Sequence, residues 1–256
     1  MTLFRRLFVA ALVAGVLSGT AASVVQRVTT VPLILEAERY EVVTTSPPVA
    51  PTQLTPAAPA HAGHDGAGHA AHPAPVRELG EAVPETAEEA FQRLWLTVAT
   101  NLLVGIGYAL LVAGAMLLVR APVDARRGLV WGLGGFIAFA LAPATGLPPE
   151  LPGMGGAELE ARQIWWLAAA FCATAGLFAV AFARNRLVVA AGVVVAALPH
   201  LVGAPHPESA AGAVPPEMAA RFAVLSLGTA ALFWALLGSA CGAMMQRVLG
   251  RPDEEA

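Results

Sequence analysis

Long apolar runs separated by short polar segments dominate this chain. Six of the runs contain no charged residue, and each is close to the length that a helix needs to cross ~30 Å of hydrocarbon at about 1.5 Å per residue. The runs are Leu7–Val25, Trp95–Val119, Gly128–Ala144, Ile164–Ala183, Leu187–Val202 and Phe222–Met245. The pattern predicts an all-α integral membrane protein, a bundle of about six transmembrane helices.

The composition is typical of a protein embedded in a lipid bilayer. Hydrophobic residues make up 57% and charged residues 13% of the 256 residues, which is unlike a soluble domain. All 15 basic residues are arginines, and a chain without lysine has no Walker A phosphate loop. The chain also has no H-E-x-x-H motif. We therefore expect no enzyme activity, no permanently bound cofactor and no nucleic-acid partner.

The first apolar run admits two interpretations. Arg5 and Arg6 precede it and it contains the small residues Gly19-Thr20-Ala21-Ala22-Ser23, as in a cleaved secretory signal, which would leave five helices. The run also carries a small residue at every fourth position, a stripe that allows close backbone contact with another membrane helix and favours a retained helix. The stripe consists of Ala11, Gly15, Gly19 and Ser23.

Arginine residues lie at alternate ends of the six predicted helices. Because arginine near the ends of short loops favours the cytoplasmic side, we expect both termini in the cytoplasm, with the chain in a bacterial cytoplasmic (inner) membrane. The opposite, outer segments hold all six histidines and 14 of the 18 acidic residues. Trp95, Trp165 and Trp166 begin their helices at this outer face, as residues of an aromatic belt do.

The chain contains two similar helical hairpins, 94–146 and 163–204. Each opens near a tryptophan, turns at an Arg-containing segment and ends in a Pro-rich stretch, so we interpret them as two parallel repeats of the kind common in transporters. The other predicted parts are the first helix 1–25, the outer segment 26–93, the outer loops 147–162 and 205–221, the last helix 222–247 and the cytoplasmic tail 248–256.

Four of the six histidines lie in the outer segment, within a Pro/Ala/Gly-rich stretch, 46–75, that is predicted to be disordered. Their spacing is His61-x2-His64-x4-His69-x2-His72. Neutral imidazole binds Co, Ni, Cu and Zn ions. We interpret the stretch as a metal-collecting arm; the alternative is a low-complexity linker.

The remaining two histidines lie where the fifth predicted helix ends. His200 follows Pro199, and a proline within a helix frees the carbonyl one turn back for an ion. His200 is therefore the leading ligand candidate, although a histidine at a helix end also caps carbonyl groups. His206 lies farther into the loop and is the second candidate.

Acidic residues complete the candidate set. Glu150 ends the Pro-rich stretch of the first hairpin and is a candidate oxygen ligand, with Met154 a soft one; a rigid turn is the alternative. Glu36 and Glu38 are candidates for an acidic vestibule that concentrates cations, or for a solvated interfacial face. Asn101 lies well inside the second predicted helix, and its amide suits either hydrogen bonding between helices or the passage of an ion.

Several strings taken together resemble the CbtA family of proposed cobalt transporter subunits. The most specific are GLPPELPG at 146–153 and PHLVGAP at 199–205. The other matching parts are the first helix with TVPLILEAE at 30–38, the His-rich stretch, LAP at 141–143 and QIWW at 163–166. The resemblance implies cobalt uptake for cobalamin synthesis, five membrane segments and a small partner subunit with one membrane helix.

The sequence leaves two functions open. The first is a transporter subunit for uptake of a divalent transition metal. Co²⁺ is the expected ion, with Ni²⁺ or Zn²⁺ as alternatives because His and carboxylate ligands suit all three. The second is a membrane metal-binding scavenger or sensor that hands ions to another permease. The two differ in whether the hairpin ends or the collecting arm carry the activity.

Overall fold

Every regular element of the described chain is a helix. The computed structural model describes residues 2–45, 86–120, 124–207 and 214–249. The helices are α1 Thr2–Val28, α2 Thr30–Thr45, α3 Ala87–Leu118, α4 Ala125–Phe136, α5 Ala142–Ala144, α6 Leu159–Phe182, α7 Arg186–Val202 and α8 Pro216–Leu249, with a π-helical turn, Ile137–Leu141, between α4 and α5. The all-α prediction is confirmed for this part of the chain.

Five helical spans of the described chain are long and apolar enough to cross a membrane. They are Phe4–Val28, Ala87–Leu118, Ala125–Ala144, Leu159–Phe182 and Pro216–Val248. The fifth predicted helix, α7, is apolar but has only 17 residues, about 25 Å of rise, so the count of six stays a prediction. Large apolar side chains are exposed along the spans, as expected of surfaces that face lipid.

Four long helices pack side by side in the order α4, α8, α1, α3. The core lies between α1, α3 and α8, where Met116, Leu237, Cys241 and Met245 are almost fully buried beside small alanines of α1. Trp234 of α8 extends this core toward α4 and stacks on Phe139 of the π turn, with ring centroids 5.7 Å apart. Aromatic packing therefore connects the core to the distorted part of the fourth span.

The small-residue stripe of α1 forms the contact with α3. All four residues of the stripe are buried, and a Cβ at Gly15 would lie 2.5 Å from both the N and Cα atoms of Ile106. Gly105 faces Gly15 from the other side of the contact. Two glycines therefore bring two backbones together, which confirms the packing that the stripe predicts.

A second glycine contact joins α4 to α8. Gly128 and Gly132 on α4 face Gly238 and Gly242 on α8, and a Cβ at Gly238 would lie 2.6 Å from the Cα of Gly132. Because the contact is again between backbones, even a methyl group would force the two helices apart. α8 thus has a close partner on each side, α1 and α4.

The two predicted hairpins differ in their packing. α6 and α7 lie against each other through Gly176 and Gly192, and in the described chain α7 packs against no other helix. In contrast, α3 and α4 hardly touch, because α3 packs on α1 and α4 packs on α8. The parallel repeat therefore remains a prediction from the sequence.

Two helices contain a proline in their last turn. Pro143 has no N–H, and the turn before it is π-helical, with the N–H of Ala142 donating to the carbonyl of Ile137. α7 continues through Pro199 to Val202. Each helix thus ends within three residues of its proline, as expected where a backbone hydrogen bond is missing.

α2 folds back onto the bundle. Leu33 and Ala37 of α2 form a buried cluster with Leu151, Val214 and Phe222, which come from the loop after α5 and from the start of α8. This end of the bundle, where α1 and α5 end and α3, α6 and α8 begin, is called the α2 end below.

The Gly15 contact leads to a prediction about stability. Gly15→Ala places a methyl group against the backbone of α3, so we expect a loss of about 1–3 kcal/mol in the free energy of unfolding in detergent. Gly107→Ala is the matched control, because a Cβ at Gly107 has nothing within 4 Å. Equal stability of the two variants would contradict the close α1–α3 contact.

Candidate functional site

An open cavity of about 630 Å³ lies at the α2 end, between the loop after α5, the first turns of α6 and the middle of α8. Its walls are mostly apolar, and Phe139 and Trp166 are among them. The charged and polar side chains among its lining residues are Glu150, Arg162, Gln163 and Ser226. A largely apolar cavity with a few polar groups is typical of a binding site.

Glu150 and Arg162 form an ion pair in the cavity. The guanidinium Nη2 of Arg162 lies 2.7 Å from Oε2 of Glu150, and the two side chains are 32% and 23% exposed, respectively. Gly156 lies close to both groups, since a Cβ there would be 2.9 Å from Nη1 of Arg162 and 3.2 Å from Oε2 of Glu150. The loop backbone therefore partly covers the pair and shields it from solvent.

The loop that carries Glu150 is anchored on both sides of it. The next residue, Leu151, is 3% exposed and inserts into the cluster formed with α2 and α8. The backbone then turns, with Met154 N–H donating to the carbonyl of Leu151 at 3.2 Å and the Leu151 N–H donating to the Met154 sulfur at 3.3 Å. The sulfur of Met154 therefore stabilises this turn. Gly153, with φ 77°, permits this turn because its left-handed backbone disfavours other residues.

Prolines reduce the number of hydrogen-bond donors in the cavity wall. Pro143, Pro148 and Pro149 line it, and none of them has an N–H group. The carbonyl oxygen of Pro143 already accepts from the N–H groups of Gly146 and Leu147. The carboxylate of Glu150 is therefore the charged oxygen ligand that the lining residues offer to a divalent cation.

His200 lies on the other side of the same loop. Its Nδ1 is 3.2 Å from Oγ1 of Thr145, and that hydroxyl donates to the carbonyl of Ala142 at 2.7 Å. Thr145 therefore holds the imidazole at Nδ1, and the His200 side chain is exposed. Imidazole nitrogen is a common metal ligand.

Trp165 separates His200 from the Glu150 cavity. It is 8% exposed, its ring packs edge-on to His200 at 5.6 Å, and its indole N–H donates to the carbonyl of Pro199 at 3.1 Å. The aromatic-belt interpretation is wrong for Trp165, because this hydrogen bond directs the ring inward, against α7. Trp95, in contrast, is 61% exposed.

The remaining candidates are dispersed. Glu38 is paired with Arg93 of α3 at 2.7 Å, whereas Glu36 and His206 are exposed. In the part of the chain that the structure describes, no three His, Cys, Asp or Glu side chains form a group that would hold a metal ion. His61, His64, His69 and His72 lie outside the described residues.

Asn101 serves the α1–α3 contact. Its Nδ2 donates to Oγ of Ser23 at 3.0 Å and to Oε1 of Gln26 at 2.7 Å. These bonds satisfy both protons of the amide inside the bundle, so helix–helix hydrogen bonding accounts for its position.

Sequence reasoning missed Arg162, Gln163 and Ser226. A signal for Arg162 was available, since it is an arginine at the predicted outer face, where arginine is disfavoured. Such an arginine implies a local acidic partner, as Arg93 and Glu38 also illustrate. The sequence carries no comparable signal for Ser226, because a serine in an apolar helix also satisfies itself on its own backbone.

The comparison with known families gives one match. A family described as probable cobalt transporter subunit (CbtA) matches residues 4–246, which include the cavity and His200. No curated protein and no solved structure matches the chain.

The indole hydrogen bond of Trp165 can be tested directly. Trp165→Phe removes the donor to the buried carbonyl of Pro199, and we expect a loss of about 1–2 kcal/mol in the free energy of unfolding. Trp166→Phe is the control, since that ring lines the open cavity. A greater loss of stability in Trp166→Phe than in Trp165→Phe would show that the hydrogen bond from Trp165 to Pro199 is not what holds α7 at the α2 end.

Proposed function

We propose, from the premise that this chain belongs to the CbtA family of probable cobalt transporter subunits, that it takes up a divalent transition metal through the cavity at the α2 end. The ion is Co²⁺ above all, with Ni²⁺ and Zn²⁺ as weaker alternatives because the same ligand types suit them. Its proposed use in the cell is cobalamin synthesis. A small partner subunit with one membrane helix completes the proposed transporter.

One observation carries the proposal: Glu150, paired with Arg162, lies in an open cavity beside a π-helical turn. A partly buried carboxylate attracts a cation. π-helical turns are frequent at functional sites, and this one carries Phe139, which lines the cavity. We therefore assign Glu150 as the first ligand that the ion meets in the bundle.

His200 and His206 supply nitrogen near this entrance in the proposal. His200 presents Nε2 because Thr145 fixes its other nitrogen. His61, His64, His69 and His72 form a collecting arm that raises the local ion concentration. Glu36 and Glu38 add negative charge to the approach. In this assignment the α2 end faces the outside and both termini face the cytoplasm.

The membrane potential is the proposed source of energy. It contributes about 2.3 kcal/mol per charge per 100 mV, and a divalent ion therefore gains roughly twice that amount on inward movement. This coupling needs no nucleotide, in keeping with a chain that has no lysine for a Walker A loop.

Replacing Glu150 tests the entry site. Glu150→Gln keeps the side-chain shape but removes the charge, so we expect uptake of radioactive Co²⁺ by cells to fall at least about tenfold, as losses at metal sites typically do. Glu160→Gln is the matched control, because Glu160 is exposed on the first turn of α6. Protein levels are compared by immunoblot.

Uptake by Glu150→Gln at the level of Glu160→Gln, with equal amounts of protein, would exclude Glu150 as a ligand. A parallel fall in both variants would indicate a general effect of acidic residues on the approach of cations.

The collecting arm and His200 should affect uptake in different ways. Replacing residues 46–75 by a Gly/Ser linker of equal length should raise the Co²⁺ concentration for half-maximal uptake severalfold and leave the maximal rate nearly unchanged, because the arm only concentrates ions. His200→Ala should lower the maximal rate, since it removes a ligand on the path.

The alternative function, a scavenger or sensor that serves another permease, predicts the reverse. The linker replacement would then abolish activity, whereas His200→Ala and Glu150→Gln would leave it unchanged. Concentration curves for all three variants therefore separate the two functions.

A further inference from the structure

Glu150 is occupied before any ion arrives, because Arg162 already holds it at 2.7 Å. We propose that Arg162 is a tethered counter-cation: it occupies Glu150 in the empty site, moves to Glu158 when a divalent ion binds, and returns to help expel the ion. The inference rests on the proposed function and adds to it a residue that sets ion selectivity.

The chemistry of arginine requires movement. A guanidinium does not lose its proton in a protein, so the positive charge beside Glu150 cannot be neutralised when a second cation approaches. The side chain must swing away, and the open cavity of about 630 Å³ beside it provides room. Both side chains of the pair are partly exposed, so water and an incoming ion can reach the contact between Nη2 and Oε2.

Glu158 is the second position for Arg162. It lies four residues earlier, at the N-terminal boundary of α6, where a glutamate preceding an arginine by four residues is in pairing range. The Glu158 side chain is exposed and makes no capping hydrogen bond to α6, so its carboxylate is available. Glu160, two residues before Arg162, points to a different side of the helix.

This exchange would discriminate between ions. A lone carboxylate attracts the abundant Mg²⁺ and Ca²⁺ as well as transition metals. With Arg162 in competition, an ion must gain more than one oxygen contact to stay at Glu150. An ion that also binds nitrogen, such as Co²⁺, then meets the imidazole of His200 as the next ligand on its path. Arg162 therefore acts as a selectivity-determining residue that does not itself bind the ion.

The test is equilibrium dialysis of Co²⁺ against the purified full-length chain in detergent, with His61, His64, His69 and His72 replaced by alanine to remove the arm. Arg162→Gln should bind Co²⁺ about threefold to tenfold more tightly, the effect of removing one partly screened competing charge. Millimolar Mg²⁺ should displace Co²⁺ from this variant far more than from the parent. Arg162→Lys keeps the charge and should resemble the parent.

The second partner has its own matched pair of variants. Glu158→Gln should weaken Co²⁺ binding about twofold to threefold, because the displaced arginine loses its alternative carboxylate, whereas Glu160→Gln should bind like the parent. Glu158→Gln leaves the Glu150–Arg162 pair intact. The comparison of Glu158→Gln with Glu160→Gln therefore tests the proposal even if Arg162→Gln does not accumulate in the membrane.

Unchanged or weaker binding by Arg162→Gln would overturn the proposal, and so would equal binding by Glu158→Gln and Glu160→Gln. The effect of Arg162→Gln must also disappear in a Glu150→Gln background, since Arg162 acts through that carboxylate. A different result, normal Co²⁺ binding by Glu150→Gln alone, would instead refute the proposed entry site, and the inference with it.

Discussion

Backbone-to-backbone contact at glycines is the constraint on which this fold depends. Lipid tails are as apolar as leucine, so membrane helices gain little from burying large side chains and must gain from close packing. Gly15 against Gly105 and the four glycines between α4 and α8 provide that packing. They join α1 to α3 and α4 to α8, and the packing of α1 on α8 completes the order α4, α8, α1, α3. The small-residue stripe of α1 thus forms one of the close backbone contacts of the bundle.

The row of four helices leaves the α6–α7 hairpin attached chiefly through the π turn and α5. The cavity lies at this attachment, where the fourth span departs from regular α-helical geometry. The π turn Ile137–Leu141 follows the glycine contacts of α4. Pro143, at the end of the same span, lines the cavity and supplies no N–H donor to its wall. The irregular part of the fourth span is therefore also the part that borders the cavity.

Residue patterns predicted the parts of this structure that depend on one helix at a time. The apolar spans and the stripe of α1 follow from periodicity and residue size, which act locally. The pairing of Glu150 with Arg162 does not, because 11 residues separate the two and Leu151 sets the path of the loop by packing against α2. Likewise, the inward position of Trp165 depends on the carbonyl of Pro199 in another helix. Even so, the placement of Glu150 and His200 at one end of the bundle was foreseeable from the alternation of arginines.

A site that passes ions onward has different requirements from a storage site. Structural metal sites enclose an ion with four protein ligands and hold it tightly, whereas a transport site must bind strongly enough to admit the ion and weakly enough to release it. The described chain offers an ion one carboxylate with an arginine beside it and, next to Trp165, one imidazole. So few ligands suit a site that must release the ion better than a site that must hold it tightly. The ion would have few ligands at each position. The competing guanidinium lowers the occupancy further, which shortens the time that each ion stays.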